Sequence, residues 1–144
     1  MDQTIARISI FLLLAAVVLF LIFGKTKKVE QKYQKGTERQ FQVAHAEGKI
    51  EIAFNRDGMR GRIDDLTGTH AIEYDFSKKW AEAIGQSLFY ASITGKKAGI
   101  VLILEGEGDQ KHLDKLVYTI RTKRLGIDVW TVQNLKDKKV KVKI

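Results

Sequence analysis

The spacing of apolar residues changes several times after residue 36, and each change predicts a new structural element. Residues 37–46 suit a short helix with Thr37 as a candidate amino-terminal cap and with Phe41 and either Ala44 or His45 facing a core. Apolar residues then alternate at 50, 52 and 54, as in a half-buried strand. The polar residues 55–58 end in Asp-Gly, so we expect a turn and a return strand over residues 59–66.

The second half of the chain predicts alternating strands and helices. Residues 70–75 read as a short strand, residues 77–94 as a helix, and the apolar run 99–105 as a strand buried on both faces. Residues 109–125 form an amphipathic pattern closed by Gly126, and residues 128–132 form a last strand. The order α-β-β-β-α-β-α-β predicts an α/β fold with a mixed sheet flanked by helices. The Lys-rich segment from Lys136 is expected to be mobile.

A long uncharged segment precedes this domain. Residues 8–24 carry no charge and would measure about 25 Å as a helix, which is the short end of the membrane-spanning range. A cleavable signal peptide is the alternative, but no small-residue cleavage pattern precedes the lysines, which favours an uncleaved single-pass anchor. Three lysines follow the span and one arginine precedes it, so the carboxy-terminal domain is expected in the cytoplasm. The expected organisation is an anchor with its basic flank at 1–29, a linker at 30–36, a domain at 37–133 and a Lys-rich tail at 134–144.

Composition narrows the functional classes only slightly. The chain has no Cys, which excludes a disulfide framework and any Cys-based zinc site. Its net charge of +8 divides into +3 for residues 1–29 and +5 for the rest. That surplus suits a polyanionic partner, since neutralising phosphates releases their counterions.

Residues 61–91 gather the groups that suggest chemistry. Side chains in a strand repeat with a period of two, so Glu73 and Asp75 share one face of their strand, close to Asp64 in the preceding strand. On the following helix, Lys79, Gln86 and Tyr90 fall along one side, with Glu82 or Ala83 between them. Carboxylates beside Lys, Gln and Tyr predict a divalent-metal and phosphate site. Each group also has a simpler interpretation, as a turn acid, a surface lysine or a half-buried packing residue.

These residues resemble the PD-(D/E)XK nuclease superfamily in its RecB-like form. The resemblance is carried by Gly61-Arg-Ile-Asp64, by Ala71-Ile72-Glu73-Tyr74-Asp75 and by Gln86-Ser-Leu-Phe-Tyr90, and it covers roughly residues 37–132. The stretch 72–91 is also similar to small bacterial and phage proteins within that superfamily. The resemblance implies a restriction-endonuclease-like sheet and a metal-dependent deoxyribonuclease.

The resemblance also implies roles for individual residues. Asp64 and Glu73 would hold Mg²⁺ or Mn²⁺ with a backbone carbonyl near Tyr74, in the oxygen environment that magnesium prefers. Glu38, on the first helix, matches a further acid of the superfamily. Gln86 and Tyr90 match the helix motif that positions the metal-bound water or the DNA backbone.

One position departs from the superfamily pattern. The motif expects Glu-x-Lys, and this chain has Asp75 where the catalytic lysine would stand. Members of the superfamily can move that lysine to the following helix, and Lys79 is the better candidate because it lies two turns before Gln86, whereas Lys78 is displaced by about 100°. Asp75 is alternatively a third metal ligand. Without either compensation, the fold would bind nucleic acid without cutting it.

The remaining basic residues are candidates for contact with a nucleic-acid backbone. DNA is the expected partner, with RNA as the alternative, and the membrane and a second copy of the chain are the other partners considered. The candidate contact residues are Lys78, Lys96, Lys97, Arg121 and Arg124. The expected function is a membrane-anchored nuclease, and the alternative is a catalytically inactive nuclease-like module that binds DNA or a protein at the membrane.

Overall fold

The computed structural model describes residues 32–144, which form one compact unit. Its centre is a six-stranded mixed sheet in which the strands follow one another in chain order. The β3–β4 and β4–β5 pairs are parallel, and the other pairs are antiparallel. The strands are β1 (Lys49–Arg56), β2 (Met59–Leu66), β3 (His70–Phe76), β4 (Lys97–Ile103), β5 (Asp128–Val132) and β6 (Val140–Lys141).

Three α-helices flank the sheet, which confirms the predicted α/β class. They are α1 (Glu38–His45), α2 (Trp80–Thr94) and α3 (Gln110–Lys123). A single 3₁₀ turn leads into α2 (Ser77–Lys79) and another into α3 (Glu107–Asp109). Thr37 caps α1 as predicted, because its hydroxyl accepts the Gln40 amide while the Gln40 side chain accepts the Thr37 amide.

The core has two parts, one on each face of the sheet. On one side α1 inserts Phe41, which is fully buried, against alternate residues of β3 and β4, namely Ile72, Tyr74, Val101 and Ile103. On the other side α2 and α3 cover the remaining residues of β4 and β5, namely Ala98, Ile100, Leu102 and Val129. β4 is buried on both faces, as its apolar run predicts.

The β1–β2 hairpin turns as its sequence predicts. Asp57 and Gly58 have φ values of 52° and 78°, the left-handed pair that matches the twist of a two-residue hairpin. Past the turn, Phe54 lies opposite Gly61 in the register. A Cβ on Gly61 would lie 2.6 Å from the Phe54 ring, so any larger residue would force that ring to shift. The ring of Phe54 is itself held edge-on against Tyr90 of α2.

The carboxy-terminal predictions need two corrections. Helix α3 is closed by Arg124 rather than by Gly126: Arg124 has a φ of 52°, and the Leu125 amide bonds to Ile120 so that Leu125 packs against the core. The expectation of a mobile tail is wrong at Val140 and Lys141, which pair with β5 and cover what would otherwise be its open edge.

The predictions for the amino-terminal part concern a linker and a membrane anchor. Within the expected linker, the Gln34 amide already bonds to the Gln133 carbonyl at 2.8 Å, and Tyr33 packs on the core. The predicted anchor at 8–24 lies outside the described residues. Within residues 32–144, no helix combines the length and apolar character needed to cross a membrane.

The two glycines Gly61 and Gly85 provide a matched test of this packing. We expect Gly61→Ala to lower the free energy of unfolding by about 1–3 kcal/mol, because the added methyl group overpacks against Phe54. Gly85, in the middle of α2, has open space around its Cα, so Gly85→Ala should raise stability by roughly 0.5–1 kcal/mol through helix propensity. Thermal unfolding of both variants, followed by circular dichroism, checks the pair. Equal effects of the two substitutions would contradict the packing described here.

Candidate active site

The β2–β3 pairing stops where the candidate acids begin. The two strands are registered only at Asp65–Ile72 and Leu66–Ala71. At the residue before Asp65, a side chain takes the place of the backbone hydrogen bonds between the strands, since Asp64 Oδ2 accepts the Tyr74 amide at 2.9 Å. The backbone of β3 therefore fixes the position of this carboxylate, and its Oδ1 remains for a ligand.

Glu73 and Asp75 lie on the α2 side of β3, as the strand period predicts. Both are buried, with 5% of Glu73 and 1% of Asp75 exposed. Among residues 32–144, Glu73 Oε2 has no hydrogen-bond donor. An uncompensated buried carboxylate oxygen is strongly disfavoured, so this atom marks a place where a cation or a proton is required.

One ammonium group serves this cluster. Lys79 Nζ lies 3.2 Å from Asp75 Oδ1, an ion pair without hydrogen-bond alignment, and 3.8 Å from Glu38 Oε2 on α1. Lys78 is exposed, and within residues 32–144 it forms no ion pair with these acids. The structure thus brings together Glu38, Asp64, Glu73, Asp75 and Lys79, and it places Lys79 rather than Lys78 beside the acids.

The electrostatics of the cluster are dominated by burial. Burial first, and then the neighbouring charges of Asp64, Asp75 and Glu38, raise the pKa of Glu73 to about 9, against an opposing effect of Lys79. Burial likewise raises the pKa of Asp64 and of Asp75 to about 6 in each case. The carboxyl groups of Glu38, Asp64, Glu73 and Asp75 are therefore close enough to perturb one another, with Lys79 as the one lysine beside them in residues 32–144, and a bound cation would offset their repulsion.

Tyr90 and Gln86 border the same cluster from α2. Tyr90 is 6% exposed, and burial raises the pKa of its hydroxyl to about 12, with the charges of Glu73 and Asp64 acting in the same direction and the Gln86 side chain in the opposite one. The Tyr90 ring also packs against Ile63 and Phe54. Tyr90 therefore combines the packing role and the site position that were alternatives in the sequence.

A supporting network around Asp64 was missed by the sequence analysis. Gln42, 2% exposed on α1, donates to the Asp64 carbonyl at 2.7 Å and accepts from Arg39 at 2.7 Å. Arg39 in turn pairs with Glu51 of β1 at 3.0 Å. Glu51 faces Asp64 across the hairpin and has a φ of 59°, which is unusual for a residue with a side chain. Only the tertiary pairing of α1 with β2 reveals these roles.

The adjacent acid, Asp65, has a structural role. It is fully buried, and its two oxygens accept the amides of Gly48 at 2.8 Å and Glu47 at 3.1 Å. Asp65 therefore fixes the connection from α1 to β1. The Asp64-Asp65 pair consists of one candidate ligand and one capping residue.

The cluster offers carboxylate oxygens of the kind that bind a divalent metal ion. In the part of the chain that the structure describes, no group of three or more Asp, Glu, His or Cys side chains converges as a complete metal cage. Mg²⁺ usually keeps several waters and takes one or two carboxylates together with substrate phosphates, so a complete protein cage is not needed. The free Glu73 Oε2 and the second oxygen of Asp64 are donors of that kind.

The other predicted basic residues lie elsewhere. Lys97 is registered with His70, five residues before Asp75 along β3, which corresponds to roughly 16 Å. Lys97, Arg121 and Arg124 line an open cleft of about 560 Å³ at that end of the sheet. Lys96 donates to the Gly68 carbonyl at 2.7 Å. The structure does not bring these four residues to the acid cluster.

The raised pKa of Glu73 gives a pH dependence with a defined sign. Between pH 4.5 and about 9 the folded chain retains a proton on Glu73 that the unfolded chain has lost, so the free energy of unfolding falls as pH rises through this window. Glu73→Gln removes this ionisation. We therefore expect the variant to gain melting temperature over the parent at pH 8 and to gain less at pH 5.

The matched control for this measurement is Glu105→Gln at an exposed position. Its melting temperature should follow that of the parent at both pH values. A gain for Glu73→Gln that is the same at pH 5 and pH 8 would contradict the burial of an uncompensated carboxyl group at this position.

No family model, no curated protein and no solved structure matches this chain.

Proposed function

We propose that the chain is a metal-dependent nuclease that hydrolyses phosphodiester bonds in DNA. The observation that carries this proposal is the buried, unpartnered Glu73 Oε2 among further carboxylates, with Lys79 at their edge. Carboxylate oxygens with an adjacent ammonium group are the set that binds Mg²⁺ or Mn²⁺ and stabilises a phosphoryl transition state.

The arrangement of the sheet supports a finer description of the fold as restriction-endonuclease-like. The acids lie at the end of β2, on β3 and on the helix that precedes the sheet, as the resemblance to the PD-(D/E)XK superfamily implies. The 3₁₀ turn after β3 presents Lys79 to the same place, and α2 presents Gln86 and Tyr90 there. Six elements of the predicted order, from α1 to β4, contribute to this agreement.

Each side chain has a definable task in this reaction. A metal ion held by Asp64 and Glu73 would polarise the phosphate and make its bound water more acidic. Asp75 raises the pKa of Lys79, so the ammonium stays charged and stabilises developing negative charge rather than accepting a proton. Tyr90 keeps its proton, so its hydroxyl can donate to a phosphate oxygen or to water.

A second candidate function is a nuclease-like module that binds DNA or a protein partner without cutting. The observation that favours it is the Asp75–Lys79 ion pair, which engages the only ammonium group placed beside the acids in residues 32–144. Anchoring at the membrane through residues 8–24, with the domain in the cytoplasm, belongs to both candidates as a proposal from the sequence.

The central experiment compares acid and lysine variants in a cleavage assay with Mg²⁺ or Mn²⁺. We expect Asp64→Asn and Glu73→Gln to abolish cleavage of labelled DNA while the domain stays folded. Lys79→Ala should reduce the rate on the order of 10²–10³-fold, the usual effect of removing one group that stabilises transition-state charge.

Lys78→Ala is the matched control, since it removes the same charge one residue away and should change the rate less than about threefold. Cleavage that survives Glu73→Gln would overturn the assignment of the site. DNA binding that needs no divalent ion, without cleavage of any substrate by the parent protein, would establish the non-catalytic module.

A further inference from the structure

A row of basic residues leads away from the acid cluster along the β1–β2 hairpin. In β2, Arg60 and Arg62 precede Asp64 at intervals of two residues. Their partners on β1 are Asn55 for Arg60 and Ala53 for Arg62. We name these four residues, Arg60, Arg62, Asn55 and Ala53, the hairpin strip.

The two faces of the hairpin have different environments. Ile52, Phe54 and Ile63 pack against Phe89 and Tyr90 of α2, so that face is committed to the core. Since side chains alternate along a strand, the residues between them lie on the opposite face. All four residues of the hairpin strip are exposed, and Ala53 and Asn55 are small, so the surface between the arginines is open.

The positive charge of the hairpin strip reaches the edge of the acid cluster. Arg62 pairs with Glu51 at 2.7 Å, its side chain is 64% exposed, and its charge lowers the pKa of Asp64 against the effect of burial. Arg39 pairs with the same Glu51 at 3.0 Å. Glu51 thus holds two guanidinium groups beside the candidate metal ligand, each with further donors directed to solvent.

We infer that the hairpin strip binds the phosphate backbone of the DNA strand and leads it to Asp64 and Glu73. This inference rests on the proposed function and deepens it. Two residues along a strand span about 7 Å, a spacing comparable to that of successive phosphates in one strand of DNA. Guanidinium groups suit phosphate oxygens because their donors form a planar fork.

Other basic residues are less suited to lead a DNA strand to the acids. Arg56, at the turn, donates to the Ile93 carbonyl at 2.9 Å and so secures the hairpin to the end of α2. The cleft of Lys97, Arg121 and Arg124 lies at the far end of the sheet from the acids.

The test measures DNA binding separately from cleavage. The full chain, purified in mild detergent and carrying Glu73→Gln to prevent cutting, is titrated with fluorescein-labelled duplex DNA in chelator at several salt concentrations, and anisotropy gives the affinity. R60E/R62E should weaken binding at least about tenfold and should reduce the salt slope by about 2, the value for two lost phosphate contacts.

The matched control is R121E/R124E, which makes the same charge change at the far cleft and should alter affinity less than about threefold. R60K/R62K should keep most of the salt slope, because the charges remain. R60E alone should also weaken binding, and Arg60 takes no part in the Glu51 ion pairs. This single variant tests the inference if the melting temperature shows that the double variant does not fold.

Equal losses in R60E/R62E and R121E/R124E, a larger loss at the far cleft, or no DNA binding by the parent would overturn the inference. The proposed function is tested independently by cleavage in Mg²⁺ with Glu73 restored. If the protein cleaves DNA and the hairpin strip variants do not change binding, the proposed nuclease function stands and the role of the strip is wrong. If binding depends on the hairpin strip and no cleavage occurs, the role of the strip stands and the nuclease function is wrong.

Discussion

The burial of several carboxyl groups around a single ammonium is the interaction on which the candidate site depends. Removing an ionised carboxylate from water costs several kcal/mol unless a partner compensates for it. Lys79 lies beside Asp75 and Glu38 and lowers the pKa of Glu73, while Glu73 Oε2 has no donor within the described residues. At neutral pH the cluster therefore requires protons or a cation. This requirement links the stability of the domain to the chemistry proposed for it.

The opening between β2 and β3 makes this cluster possible. Alternation alone would keep Asp64 and Glu73 on different faces, because Ile63 and Ala71 both pack toward Tyr90. Where the ladder stops, Asp64 turns its carboxylate into the gap and accepts the Tyr74 amide. Gln42 holds the Asp64 carbonyl from the other side. The site is thus built from rigid elements, and the irregular backbone is limited to Glu51 and the splayed strands.

Local chemistry explains which parts of the fold could be predicted. The Thr37 cap, the Asp57-Gly58 turn and the buried run of β4 each depend on neighbouring residues, and each is confirmed. Helical spacing places Lys79 rather than Lys78 on the face of Gln86, but it does not predict the ion pair with Asp75, because Asp75 lies in β3 and not on the helix. By contrast, β6, the role of Gln42 and the left-handed cap at Arg124 depend on contacts between distant segments. The strand period gives no indication that Asp64 and Glu73 meet across an open ladder.

The most direct test of the account is the titration of the Glu73 carboxyl group. Carbon-13 NMR of glutamate-labelled protein, with the signal assigned by its loss in Glu73→Gln, would follow this group with and without Mg²⁺. The account predicts a pKa near 9 in the absence of metal, as burial and the neighbouring acids require, and a value well below that in Mg²⁺ as the ion displaces the proton. A pKa near 4.5 without metal, or a raised pKa that Mg²⁺ leaves unchanged, would contradict the claim that this cluster is a cation site.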